Sequence, residues 1–203
     1  MTSSMKAHPQ YATRAAGASK SQGLLARLVL VLFLFGSASA ASAECRLSVS
    51  NPEIDYGTLY RSELLAQGRS SMLSLSKREL SLTAICDGET PFALRFLGDA
   101  VGPNSYRFAV NGSFTIRLSN ATVDGSPVEL AHASVTGGTQ SSPSVSAVLA
   151  PGSVISPVSL GQAATGKVFA VQVEFDTSID EPATRVRDLT FLDGGGAFEL
   201  GRP

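Results

Sequence analysis

The feature that most constrains the fold is a series of short runs in which apolar and polar residues alternate. Gly, Pro, Asn and Asp residues separate these runs. Successive side chains of a β-strand point to opposite faces, so each run predicts a strand with one buried face. Because no long stretch shows the apolar spacing of an amphipathic helix, the pattern predicts an all-β fold of immunoglobulin-like β-sandwich type.

The phase of the alternation predicts where strands begin and break. Leu80, Leu82, Ala84 and Cys86 share one face, so Cys86 should point into the core at the end of a strand. Leu73 and Leu75 have the opposite phase, which predicts a bulge or turn at residues 77–79. Further strands are expected at residues 92–96, 106–110, 114–118, 127–135, 144–149, 167–175 and 197–200, with loops at 137–144 and 177–188 and a short helical segment within 62–71.

The pair Asn111-Gly112 is the strongest hairpin signal in the chain. A two-residue loop would place the apolar residues of its two strands on opposite faces. A three-residue loop, with Gly112 in the left-handed region, pairs Phe108 with Phe114 and Tyr106 with Ile116, which keeps one apolar face. We therefore expect the three-residue loop. Asn111 and Asn120 also begin glycosylation sequons, and we interpret both as turn residues.

Residues 1–43 have the pattern of a signal peptide that is removed on export. Lys6, Arg14, Lys20 and Arg27 precede an apolar run at 28–35 that is too short to span a bilayer. The run is followed by Ala41-Ser42-Ala43, which predicts cleavage between Ala43 and Glu44. A retained membrane anchor is the alternative, and translation from Met5 would shorten the long positive region.

Export would leave residues 44–203 as a single domain. Of the 16 basic residues, 12 lie there with all 17 acidic residues, which gives a net charge of 12 − 17 = −5. Nucleic acid is therefore not an expected partner, because phosphate binding needs concentrated Lys and Arg. No second long apolar segment occurs, so no membrane span is expected in this part.

Cys45 and Cys86 are the two cysteines of the sequence, and both lie in the exported part. Two cysteines of one domain in an oxidising compartment are expected to form a disulfide. Closing such a loop stabilises the fold by about 4 kcal/mol on the chain-entropy estimate. Free thiols or a metal site are the alternatives. A metal site is disfavoured because His132 is the one histidine in residues 44–203 and no Cys-x-x-Cys occurs.

Five segments carry a resemblance to a known class of proteins. They are Cys45-Arg-Leu-Ser-Val, Asn51-Pro-Glu-Ile-Asp-Tyr-Gly, Leu80-Ser-Leu-Thr-Ala-Ile-Cys, Phe92-Ala-Leu-Arg-Phe-Leu-Gly and Gly194-Gly-Gly-Ala-Phe-Glu-Leu. In this order the chain resembles bacterial fimbrial subunits of the chaperone–usher type. It is similar in particular to the beta-fimbriae major subunit family (domain of unknown function 1120), and also to spore coat U domain proteins.

The resemblance implies an incomplete sandwich that acts in cell adhesion as part of a surface fimbria. A periplasmic chaperone, an outer-membrane usher and neighbouring subunits would be the partners, and a partner's strand would complete the fold. The groove would be lined by the C-terminal strand, at Ala197, Phe198, Glu199 and Leu200. The Cys45–Cys86 bridge would tie the first strand to the second.

Two features depart from the family pattern. Almost no extension precedes Cys45 after the predicted cut. Either the cut lies earlier, or the subunit accepts a strand without donating one, as at a fimbrial tip or in a protein that completes its own fold. The chain ends Leu200-Gly-Arg-Pro203, without the aromatic residue that is usual next to the last position. The role of this terminus in anchoring a chaperone is therefore in question.

The motifs that would indicate other functions are weaker. His132 could act as a general base, but no motif marks a nucleophile or acid beside it. Asp176, Asp180 and Glu181 could bind Ca²⁺, but their spacing does not match an EF-hand. Gly194-Gly-Gly lacks the Lys of a phosphate loop and more simply relieves crowding at a turn. We therefore expect that the protein is not an enzyme and that it binds no cofactor. A stand-alone secreted or surface adhesin that binds sugar or protein is the alternative function.

Overall fold

The computed structural model describes residues 44–68, 70–134, 138–139 and 142–201. These residues lie within one compact unit, Ala43–Pro203. A six-residue helix, α1 (Arg61–Ala66), and a short 3-10 helix (Glu181–Thr184) accompany the strands. The strands are β1 (Cys45–Val49), β2 (Met72–Ser74), β3 (Arg78–Pro91), β4 (Ala93–Gly98), β5 (Tyr106–Phe108), β6 (Gly112–Val123), β7 (Ser126–Pro127), β8 (Glu129–Ser134), β9 (Gly138–Thr139), β10 (Ser146–Val148), β11 (Ile155–Ser159), β12 (Gln162–Ala163), β13 (Thr165–Asp180) and β14 (Gly196–Gly201).

The strands form two antiparallel sheets that pack face to face. The first sheet has the order β1-β3-β13-β6-β10, with β2 beside β13 and with β5 and β7 beside β6. The second has the order β14-β4-β11-β8-β9, with β12 beside β11. This architecture confirms the predicted all-β sandwich. Within the described residues no helix has the length and hydropathy of a membrane span.

The core is built from the inward faces that the alternation predicts. In β3 the residues Leu80, Leu82, Ala84 and Cys86 are buried, while the residues between them are more exposed. The corresponding residues of β13 are also buried, and they pack in the same core. Each large apolar side chain removed from water contributes about 1.5–3 kcal/mol, so the paired strands β3 and β13 supply much of the stability.

The predicted phase change is confirmed as the break between β2 and β3. Leu73 in β2 pairs with Ile179 of β13, and Leu75 follows at 3% exposure. The predicted loop at 177–188 begins too early, because β13 continues to Asp180. Thr177 stays buried in this extension, since its hydroxyl shares a 2.7 Å hydrogen bond with the hydroxyl of Tyr56. Because this hydrogen bond satisfies the Thr177 hydroxyl, a polar residue can lie inside the core and the strand continues past it.

The β5–β6 hairpin has the expected three-residue length, but its register was predicted wrongly. Phe108 pairs with Gly112 and Tyr106 pairs with Phe114, so the loop is Ala109–Asn111. Ala109, not Gly112, adopts the left-handed conformation, with φ of 49°. The shift of two residues preserves the apolar face, which explains why the alternation could not exclude it.

Two further expectations need correction. Asn120 is no turn residue: it lies inside β6 with φ of 51°, at a register shift between β6 and β13. Such a bulge needs a residue that tolerates positive φ, and Asn does so more readily than most. Cys86 does not end a strand, because β3 continues to Pro91.

Candidate functional site at the open edge of the sandwich

The two sheets end side by side at β1 and β14. Among the described strands, β1 has β3 as its single neighbour and β14 has β4. β1 and β14 approach each other across the two sheets. Their outer backbone edges therefore run along the same side of the sandwich, which we call the open edge. An edge strand offers a row of N–H and C=O groups to an incoming strand.

The inward residues of the open edge are incompletely covered. Four inward residues pack against the core but remain partly exposed to solvent: Leu47 and Val49 of β1, and Phe198 and Leu200 of β14. In contrast, the inward apolar side chains of the central strands β3 and β13 are at most 8% exposed. The core is thus closed at the centre of the sandwich and thinly covered at the open edge.

The opposite side of the sandwich is closed by the chain itself. Leu130 of β8 and Ser144 exchange two backbone hydrogen bonds, of 2.7 and 3.0 Å. Two residues later the chain enters β10, which pairs with β6 in the first sheet. This segment joins the second sheet to the first. The two long sides of the sandwich therefore differ: one is bridged, and the open edge has no such bridge among the described residues.

The predicted disulfide is present and holds one wall of the open edge. Cys45 in β1 lies directly opposite Cys86 in β3, with Cα atoms 4.0 Å apart and a covalent bond between the sulfur atoms. Among the described residues β1 pairs with one strand only. The disulfide adds a covalent attachment to β3, whereas an inner strand is held by backbone hydrogen bonds on both sides. The disulfide attaches β1 to β3 two residues before Leu47, which packs against the core.

The four residues predicted to line the groove all lie in β14, and the strand separates them by face. Phe198 and Leu200 face inward, and the Phe198 ring lies 4.9 Å from the ring of Phe96. Glu199 faces outward, where its carboxylate accepts hydrogen bonds of 2.9 and 2.6 Å from Arg95 of β4. Ala197 is exposed. The inward pair is therefore the part of β14 suited to contact a partner's apolar side chains.

An aromatic cluster supports β14 from beneath. Phe96, Tyr106 and Phe114 pack with ring centroids 4.8–6.0 Å apart, and Phe96 contacts Phe198. Burial raises the pKa of Tyr106 to about 12, because the charged phenolate would be desolvated. Gly196 lies where an added Cβ would collide with Phe96 and with the backbone oxygen of Leu97. Crowding therefore excludes a side chain at Gly196, as expected for the Gly194-Gly-Gly segment, but Gly196 begins β14 and does not lie in the expected turn.

The residues considered for catalysis or metal binding are not gathered into one site. His132 lies on β8, partly buried and opposite Ile155 of β11. The Glu181 carboxylate is engaged by the guanidinium groups of Arg61 and Arg185, which lower its pKa. Asp176 lies 3.9 Å from the ammonium group of Lys77. Among the described residues no three His, Cys, Asp or Glu side chains are grouped as metal ligands.

Sequence reasoning missed β1 as the second wall of the site. The alternation of Cys45, Leu47 and Val49 was the available signal, but it does not show which strand stands at a sheet edge. The predicted cleavage site between Ala43 and Glu44, together with the signal peptide at 1–43, lies outside or at the limit of the described residues. Both stay predictions.

Comparison with known proteins gives a distant relative. No family model matches the chain. The chain is similar to the uncharacterized protein YhcE of Escherichia coli (strain K12), with 31% identity over 109 residues. The match covers 53% of this chain and 59% of YhcE. The matched region thus spans about three fifths of the relative's length, and its name gives no activity or partner.

Proposed function

We propose that this chain is a structural subunit of a bacterial surface fimbria that acts in cell adhesion and is assembled by β-strand addition at the open edge. The observation that carries the proposal is the partly buried apolar row on β1 and β14, at the side of the sandwich that the described chain does not close. The sequence resemblance to chaperone–usher subunits supports the same function.

The open edge offers both components that strand addition requires. The outer backbone groups of an edge strand provide hydrogen bonds, which give affinity independent of sequence. The inward residues Leu47, Val49, Phe198 and Leu200 provide apolar contacts for alternate side chains of the added strand. A strand that covered these four residues would remove their remaining apolar surface from water, at about 25 cal/mol per Å².

The exposed apolar surface of the open edge also indicates which partners the protein would need. An open apolar edge is an aggregation hazard, so it needs a cover from synthesis to assembly. A periplasmic chaperone would supply that cover during export, an outer-membrane usher would exchange it, and a strand of a neighbouring subunit would replace it. The protein would pass through the periplasm and end in the fimbria at the cell surface.

The test compares two neighbouring residues that face opposite ways. Leu200→Gln removes apolar surface from the open edge, whereas Glu199→Gln changes the outward face of the same strand. We expect Leu200→Gln to reduce the yield of chaperone complex and of assembled fibre at least tenfold, and Glu199→Gln to change neither beyond twofold. Both proteins are expressed with the chaperone and usher of a fimbrial gene cluster from the same genome.

Amide hydrogen exchange gives a second readout. The β14 amides that point away from β4 should exchange quickly in the isolated protein and become protected in the complex, while those of β13 should be protected in both states. A stable monomer that binds no chaperone, with these outward amides already protected, would contradict the proposal. That result would instead support a stand-alone secreted or surface binding module.

A further inference from the structure

An open cleft of about 600 Å³ lies at one end of the sandwich. One wall is the β5–β6 turn, Ala109–Asn111, and the other is the segment at residues 190–195 that leads into β14. The lining also includes Asp99, which follows β4, and Arg107 of β5, together with Ile179 of β13 and Ala183 of the 3-10 helix. The volume falls in the range of about 300–1,000 Å³ that is usual for small-molecule sites.

Backbone contacts hold the walls of the cleft in place. The Ala109 N–H donates a 2.7 Å hydrogen bond to the Asp193 carbonyl, which joins one wall to the other. The Asn111 carbonyl accepts a 2.8 Å hydrogen bond from the N–H of Asp180. Gly194 packs so closely on Phe108 that an added Cβ would lie 3.0 Å from its ring. A cleft fixed in this way loses little conformational freedom when it binds a ligand.

The polar side chains of the cleft are available to a ligand. Asp99, Arg107, Asn111 and Asp193 form no side-chain hydrogen bond or ion pair with any other described residue. The carboxylates accept hydrogen bonds, the guanidinium group donates them and the amide does both. Such a set matches a ligand that carries many hydroxyl groups, because each hydroxyl both donates and accepts.

An exposed aromatic ring stands at the rim of the same cleft. Phe191 is 88% exposed and Val110, across the cleft, is 82% exposed. Covering an exposed apolar ring with another apolar surface removes both from water, which lowers the free energy. The C–H face of a pyranose ring is flat and apolar, while its hydroxyl groups project around the edge. A sugar can therefore cover Phe191 while its hydroxyl groups meet the polar lining.

We propose that this cleft binds a neutral saccharide of one or two pyranose rings. Two carboxylates against one guanidinium group make the lining net negative, which disfavours acidic sugars. The site is independent of strand addition: it would act in a fimbrial subunit and in a stand-alone module alike. Phe191 would stack on the sugar ring, while Asp193 and Arg107 would position its hydroxyl groups.

The experiment measures sugar binding by the purified protein. The probes are methyl glycosides of glucose, galactose and mannose and their disaccharides at about 10 mM, enough to occupy a site with a Kd near 1 mM. The readouts are shifts of backbone amide signals and a Kd from their titration. We expect at least one probe to shift the signals of residues 109–111 and 190–195.

Variants connect binding with the cleft. Phe191→Ala and Asp193→Asn should each weaken binding at least tenfold, whereas Val145→Ala, at another exposed apolar residue, should leave the Kd unchanged. An unchanged Tm in each variant would show that the fold is intact. Absence of shifts with every probe, equal binding by Phe191→Ala, or shifts caused by an apolar peptide but by no sugar would overturn the proposal. None of these outcomes depends on the assembly assay.

Discussion

Tyr106 carries a buried hydroxyl group inside the core. Its hydroxyl is buried between the sheets and has no hydrogen-bond partner among the described residues. A buried, unsatisfied hydroxyl costs about 1–3 kcal/mol. We therefore expect Tyr106→Phe to increase the free energy of unfolding by about 1 kcal/mol, measured by urea denaturation. Tyr60→Phe, at a ring that is 59% exposed, is the matched control and should have no effect.

The ion pairs of Glu181 make the stability of the folded protein depend on pH. Hydrogen bonds from Arg185 and Arg61 lower the pKa of its carboxyl group. A lowered pKa in the folded state stabilises the protein above the ordinary pKa of Glu, about 4.3, and this contribution is lost as the pH falls. Glu181→Gln should therefore decrease the Tm at pH 7, and the difference from the native protein should be smaller at pH 3, below the ordinary pKa of Glu. Thermal denaturation at both pH values measures this effect.

The control for that prediction is Glu53→Gln. Glu53 is exposed, and its side chain forms no ion pair with other described residues. Its substitution should leave the Tm unchanged at either pH. A Glu181→Gln difference as large at pH 3 as at pH 7 would show that the ion pairs are not its source.

At the scale of elements, the β5–β6 hairpin depends on the absence of a side chain at Gly112. A Cβ at this position would lie 2.7 Å from the Phe108 carbonyl oxygen and 2.8 Å from that of Ser178. Both are backbone atoms of paired strands, so neither can move without distorting the sheet. Gly112→Ala should therefore decrease the free energy of unfolding by about 1–3 kcal/mol in urea denaturation.

Gly201→Ala is the matched control for Gly112→Ala. Its Cβ would meet nothing nearer than 4.0 Å, so the substitution should change the free energy of unfolding by less than about 0.5 kcal/mol. Equal effects at the two glycines would mean that crowding at Gly112 is not what excludes a side chain.

The same hairpin shows how far the sequence determines the fold. Alternation fixes which side chains share a face, so the apolar face of β5 and β6 was predicted correctly. It leaves shifts of two residues undetermined, because such a shift preserves every face. The choice between them depends on contacts with Asp193 and Asp180, which are distant in the sequence.

Other misses have the same physical origin. β11 escaped prediction because Pro157 interrupts its alternation, and proline disfavours a strand with neighbours on both sides. The structure accommodates it because β11 pairs with β4 at Ile155 and not at Pro157. For the candidate site, the strand at 197–200 and a first strand at Cys45 were expected, but their position at the same side of the sandwich was not. The pairing of two sheet edges is a property of the assembled sandwich and leaves no local pattern.

At the scale of the whole molecule, the two long sides of the sandwich differ in what holds them. The side at β8 and β10 is joined by backbone hydrogen bonds between Leu130 and Ser144. At the open edge, β1 is held by its pairing with β3 and by the Cys45–Cys86 disulfide, and β14 by its pairing with β4 and by the Phe198 contacts. The stability of this edge therefore depends in part on a covalent bond, where we propose that a partner strand is added.

This dependence leads to a prediction for the disulfide. A loop of 41 residues constrains the unfolded chain, so replacing both Cys45 and Cys86 by Ala should decrease the free energy of unfolding by about 4 kcal/mol. Since domains are stable by about 5–15 kcal/mol, the variant should still fold but unfold at a lower urea concentration. Fully reduced native protein should give the same curve. A loss below about 1 kcal/mol would show that β1 is held by its pairing with β3 alone. If the loss is found and the variant also binds chaperone less well than Tyr60→Phe, the bridge maintains the wall of the open edge as well as the stability of the fold.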